Sequence, residues 1–202
     1  MTSTHFRALL IGAAVLTLVG CNRAGGSAQE NSGSANSSAT TASAGGSSDP
    51  IKDAESAAPA SIAHDASVVV PQPDGTLKTL RQGSNGWTCI PDDPNTPSDD
   101  PMCADANGMK WAAAWMAHKP PPPNAVGLAY MLKGASDPSN TDPFATKPAA
   151  GSDWVKTGPH LMVLGADSLN KLYQASATPD TSKPYVMFGG TPYAHLMVPV
   201  SG

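Results

Sequence analysis

The chain is short of charge. Its 202 residues carry 12 Lys and Arg against 16 Asp and Glu, a formal net charge of −4, and the basic residues neither cluster nor alternate with aromatics. Nothing in it is built to neutralise a row of phosphates, so nucleic acid and anionic lipid headgroups are poor partners. Long apolar runs are missing too. The run "ALLIGAAVLTLV", Ala8 to Val19, is about 12 residues, where a helix needs about 20 to span a bilayer. Gly-x-Ser-x-Gly elbows, His-Glu-x-x-His helices and phosphate-cradling glycine loops are absent, which removes the usual sequence supports for hydrolase, zinc-protease and nucleotide sites. No two cysteines stand at the spacing of a dithiol redox centre.

What is present begins with an address. Arg7 and the amino terminus give a short positive region before the apolar run, the arrangement of a secretory leader. The run closes in Leu18-Val19-Gly20-Cys21, which resembles the bacterial lipoprotein signal. The resemblance implies a signal peptide over residues 1–20, cleavage before Cys21, and lipid on its sulfur and on the new amino terminus. Several acyl chains anchor stably, because each buried methylene adds about 0.8 kcal/mol. Asn22 stands where an aspartate would suggest inner-membrane retention. The expectation is a cell-envelope protein, lipid-anchored and facing the periplasm, on the outer membrane where the source has two. Gly25 to Ser48 is almost entirely Gly, Ser, Ala, Asn and Thr, too polar to offset its ordering entropy. A flexible tether is expected over residues 21–58, with a mean reach of roughly 30–35 Å. Residues 59–202, about 140, are then one domain with its own core.

With Cys21 lipidated, Cys89 and Cys103 remain as a pair in an oxidising compartment, where a disulfide is the default. Closing a loop of about 15 residues is worth roughly 3 kcal/mol in the chain-entropy model. The enclosed "IPDDPNTPSDDPM" has no apolar period of its own to hold one shape. A free thiol pair and two metal ligands are the alternatives.

Within the domain, "ASVVVPQP" and "TLKTLRQ" read as short strands before the Ser84-Asn85-Gly86 turn. Asp99-Asp100-Pro101 signals a helix start, predicting a helix from Pro101 to about His118 with Trp111, Trp115 and His118 on one core-facing stripe. Pro120 to Pro123 force an extended link into a strand over Ala125 to Gly134. A long polar loop over residues 135–158 follows, and loops of this length in compact domains carry function or disorder. A strand over Pro159 to Leu164 and a short helix capped by Asp167 come next. The end reads as a hairpin about Gly189-Gly190-Thr191-Pro192, its second arm outermost. Strands and helices mix without βαβ alternation. The fold class expected is therefore α+β: a mostly antiparallel sheet with two helices packed on it, stapled by the disulfide.

The words "NGWTC", "DPMC", "SNTDPFATKP", "GPHLMV" and "PYAHLMVPV" together resemble a family of exported bacterial proteins to which no activity is attached. The resemblance spans roughly Ser61 to Val200 and implies one intact domain, without naming a reaction, ligand or partner.

The chain uses His-Leu-Met-Val twice, at His160 to Val163 and at His195 to Val198. Side chains alternate along a strand, so His160 and Met162 share one face, as do His195 and Met197. If the two strands are neighbours, two imidazoles and two thioethers come together, a soft set suited to Cu(I) and poorly suited to calcium or magnesium. The plainer reading is two core strands whose methionines fill gaps and whose histidines bond to the loop or turn nearby. A non-metal ligand, or an envelope protein partner bound beside these histidines, is the third reading. The loop residues Asp137, Asn140 and Asp142 border any such site. "DPSNTDP" places Asp137, Ser139 and Thr141 alternately, as a calcium loop does, but the sixth and twelfth positions of an EF-hand would be Asp142 and Pro148. Self-capping turns suit it better. A hydrolase would use His160 or His195 as base, Asp137, Asp142 or Asp153 as orienter, and Ser139 or Thr141 as nucleophile. The expectation is a binding or interaction module rather than an enzyme.

Overall fold

The β-branched and apolar words of the chain become strands of one large sheet. The computed structural model describes residues 49–173 and 175–200; the leader, Cys21 and the tether as far as residue 48 lie outside them. The sheet's eight strands are β1 (Ser67–Pro71), β2 (Leu77–Arg81), β3 (Thr88–Ile90), β4 (Met102–Ala104), β5 (Gly127–Met131), β8 (His160–Leu164), β9 (Tyr185–Met187) and β10 (His195–Pro199). Their order is β2-β1-β3-β4-β5-β8-β10-β9, and β6 (Ala135–Asp137) pairs separately with β7 (Val155–Thr157). Every pairing is antiparallel except β1 with β3. The class is α+β, as the mixed pattern implied. Four short helices, not two, occur among the described residues: α1 (Pro50–Glu55), α2 (Ala60–Ala63), α3 (Ala106–Met116) and α4 (Asp167–Asn170).

Both faces of the sheet are covered. On one, the register runs Val68, Cys89, Cys103, Tyr130 across β1, β3, β4 and β5, and the alanines of α1, α2 and their connection pack onto it. Cys89 and Cys103 face each other directly and form the disulfide, their Cα atoms 4.0 Å apart. On the other face, Ala104, Ala129, Met162, Met197 and Tyr185 line up across β4, β5, β8, β10 and β9, and α3 lays Trp111 and Ala112 among them. α3 sits this close because β5 begins at Gly127: a Cβ there would lie 2.3 Å from the Gly108 backbone nitrogen.

The first core reaches further upstream than the tether expectation allowed. Pro50 opens α1 behind Asp49, whose carboxylate accepts from the Ile51 N–H. Ala54 and Ala57 are wholly buried, Leu132 N–H donates to the Ala57 carbonyl (2.9 Å), and the buried Asp53 accepts from Asp92 N–H (2.7 Å). The Arg81 guanidinium pairs with Glu55 and donates to the Ala63 and Ala66 carbonyls, joining β2 to both helices. Residues 49–58 therefore belong to the fold. Alanine composition resembles a tether's, but beside a disulfide small side chains allow close contact. Residues 41–202 form a unit of their own. It contains both cores, the disulfide and every sheet pairing described, so it is self-sufficient for folding.

Other expectations need correction for related reasons. The Asp99-Asp100-Pro101 signal does not start a helix. Cys103 must lie opposite Cys89, so residues 102–104 are extended, and Asp105 caps α3 instead by accepting from Gly108 N–H (2.7 Å). Trp111 is buried, but Trp115 keeps 37% of its surface exposed and donates to the Pro143 carbonyl. His118 lies beyond the helix with φ 53°. The long polar loop is closed at its base by the β6–β7 pair. α4 is a single turn with Ala166, not Asp167, at its N-cap. In the last hairpin β9 is the edge strand and β10 the inner arm, because β10 pairs with β8 as well as with β9. No helix among the described residues is long and apolar enough to cross a membrane.

Candidate functional site

The two His-Leu-Met-Val words are neighbours. β8 and β10 run antiparallel with Met162 opposite Met197, His195 opposite Leu164 and His160 opposite Pro199. A pairing centred on Met162 and Met197 gives the strand pair a local two-fold, and that two-fold carries His160 onto His195. The repeat is thus a symmetry of the sheet: each word supplies one half of the same surface. Directly opposed residues share a face, so both histidines and both methionines look toward α3, and each of the four is buried. The histidines stand at opposite ends. Four residues of strand separate their levels, about 13 Å.

Each imidazole is held by its own strand. His160 Nδ1 lies 2.7 Å from the Gly158 carbonyl and His195 Nδ1 lies 2.9 Å from the Tyr193 carbonyl, again equivalent positions under the two-fold. A carbonyl only accepts, so Nδ1 carries the proton and Nε2 bears a lone pair. The expectation that loop and turn would satisfy both ring nitrogens holds for neither ring, since both Nε2 atoms are buried without a partner. Burial pushes the His195 pKa down to about 4 and lowers that of His160. Trp111 and Phe188 meet the His195 ring edge-on, at centroid distances of 5.1 and 5.5 Å.

These groups open into a cavity of about 580 Å³ between the sheet, α3 and the long loop. Sulfur is concentrated there. Met131 lies opposite His160 on β5, and Met187 lies opposite His195 on β9. Both line the cavity, as do Met102, Met116, Met162 and Met197. Four aspartates, Asp93, Asp100, Asp137 and Asp142, stand at its margin, and its lining contains no Lys or Arg. Desolvation pushes the Asp137 carboxyl up to about 7, with the Asp100 charge adding to it, and desolvation also pushes Asp100 up to about 6.

The loop residues singled out in the sequence divide. Asp137 ends β6 and lines the cavity. Asn140 is a buried clamp: its Nδ2 donates to the Ser176 and Val186 carbonyls, and its own carbonyl accepts from Phe188 N–H. Ser139 Oγ accepts from Thr141 and Asp142 N–H, and Asp142 accepts from Phe144 N–H, so this stretch caps itself. No carboxylate orients either histidine, and Asp153 does not line the cavity. Met131 and Met187 escaped sequence reasoning. The only sign of them was a methionine in each adjoining strand, with nothing local to say which residue it would face.

Among the described residues no group of three or more His, Cys, Asp and Glu is placed to hold a metal ion. Any metal held here would have to be one that accepts thioether. No family model, curated protein or solved structure matches the chain.

Proposed function

We propose that this chain is an exported, lipid-anchored, non-catalytic binding module of the bacterial cell envelope, with the cavity over the paired His-Leu-Met-Val strands as its binding site. One observation carries the reading: two buried imidazoles present unpaired Nε2 lone pairs to one cavity. Buried polar atoms are nearly always satisfied, and each one left unmade costs about 1–3 kcal/mol. A fold that retains two such atoms at symmetric positions is holding them for a partner from outside the chain. The cavity is of small-ligand size. Its lone pairs, thioethers, aromatic rings and carboxyls, with no cationic side chain among them, favour a guest that is positive or donates hydrogen bonds. The seryl and threonyl groups nearby are tied into turns, and neither imidazole has a carboxylate behind it, which supports binding over catalysis. The leader ending at Cys21 supports the anchor, and the disulfide supports an oxidising compartment.

The cavity is tested on residues 41–202 with N-phenyl-1-naphthylamine, a neutral apolar probe with one N–H donor. The expected result is saturable fluorescence enhancement that Ala112→Phe, on the cavity wall, abolishes while circular dichroism stays unchanged. An absent enhancement, or one equal in the folded variant, counts against the cavity as the site. The anchor is tested separately by the mass of the mature chain, which should carry acyl groups that Cys21→Ser removes.

A further inference from the structure

The cavity presents its soft donors in duplicate. Three directly opposed pairs cross the sheet: Met131 with His160, Met162 with Met197, and His195 with Met187. Opposed side chains on one face have Cβ atoms about 4.5–5.5 Å apart, and the next residue of the same face lies about 7 Å along the strand. Each histidine therefore has one thioether across from it and one beside it on its own strand. All six line the cavity.

We infer that the cavity binds Cu(I) in two halves: His160, Met131 and Met162 hold one ion, and His195, Met187 and Met197 hold a second. The inference rests on the reading of this cavity as the binding site and names its ligand. Imidazole nitrogen and thioether sulfur are neutral, soft donors that select Cu(I), whereas calcium and magnesium require oxygen. The Nδ1–H bonds to Gly158 and Tyr193 fix both rings with Nε2 forward, the arrangement by which proteins orient metal-binding histidines. Four aspartates at the margin and no basic side chain in the lining suit a cation. One ion cannot use both imidazoles, since about 13 Å of strand separates their levels; the two-fold instead gives each ring its own pair of sulfurs. Methionines often fill cores merely as adaptable packing. Packing, however, gives no reason for two unpaired lone pairs, each facing a methionine across the sheet.

The test is anaerobic competition for Cu(I) between residues 41–202, whose two cysteines are joined as a disulfide, and the chromophoric chelator bicinchoninate. The expected result is two ions withdrawn per chain. His160→Ala and His195→Ala should each leave one. Where an alanine variant fails to fold, Met131→Leu and Met187→Leu, which conserve volume, should each weaken one ion at least tenfold, while Met109→Leu, outside the cavity lining, should change nothing. Withdrawal of fewer than two ions, or affinities that the histidine and methionine variants leave intact, overturns the inference. If copper fails while the naphthylamine probe still binds and Ala112→Phe still abolishes it, the cavity remains the site and only its assignment to Cu(I) falls. If both fail, both readings fall.

Discussion

Met162 and Met197 face each other across β8 and β10, and the sheet is locally symmetric about that pair. The symmetry turns a sequence repeat into a paired site: His160 maps onto His195, and the Gly158 carbonyl maps onto that of Tyr193. Neither strand alone makes the arrangement. It needs β5 and β9 outside them, each bringing a methionine to the level of a histidine.

His195 titrates below the usual histidine range because burial disfavours its cation. The unfolded chain therefore binds the extra proton between about pH 6.5 and 4, and this ring's contribution is intact above that window and lost as pH falls through it. Relative to the parent, His195→Gln should lose its disadvantage on acidification, by an amount on the order of 3 kcal/mol between pH 7 and 4. Urea unfolding of residues 41–202 at a series of pH values, with a chelator present, reads this directly.

Asp137 has the opposite sign. Its folded pKa is raised to about 7, first by desolvation and then by Asp100. The folded chain holds this proton where the unfolded chain releases it, so stability falls as pH rises from about 4 to 7. Asp137→Asn should accordingly gain stability relative to the parent across that window. A stability difference independent of pH would show that the carboxyl is not desolvated.

Removing residues 41–58 should cost more than trimming a tether. Ala54 and Ala57 leave the core, the Leu132 N–H loses the Ala57 carbonyl, and Arg81 loses Glu55. A chain starting at residue 59 should unfold at least 2 kcal/mol more easily, roughly the cost of losing one buried side-chain contact set and one buried hydrogen bond. Denaturant midpoints of the two chains decide it; equal midpoints would return residues 49–58 to the tether.

Asn140→Ala should loosen the β9 edge. Its Nδ2 is the donor to the Ser176 and Val186 carbonyls inside the fold, and leaving two carbonyls unmet costs about 2–4 kcal/mol. Hydrogen exchange at Phe188, whose N–H bonds to the Asn140 carbonyl, should accelerate along with that of β9. Unchanged protection there would rule out the clamp.

The sequence by itself determined what depends on near neighbours. The mix of strand and helix patterns set the α+β class, and two-residue alternation placed each histidine on the same face as the methionine after next. The repeated word marked where a site would be. Two cysteines left over from the leader's pattern were enough to expect a bond between them. Tertiary structure decided what depends on partners distant in the chain. Register is a long-range property: only closure of β5, β8, β10 and β9 into one sheet set Met131 against His160 and Met187 against His195. The same non-local demand overrode local signals elsewhere. Pairing Cys103 with Cys89 straightened a segment that reads as a helix start, and packing against the disulfide gave an alanine-rich stretch a core to join. Local alternation fixes which way a side chain points, and only burial among the assembled strands fixes what it meets.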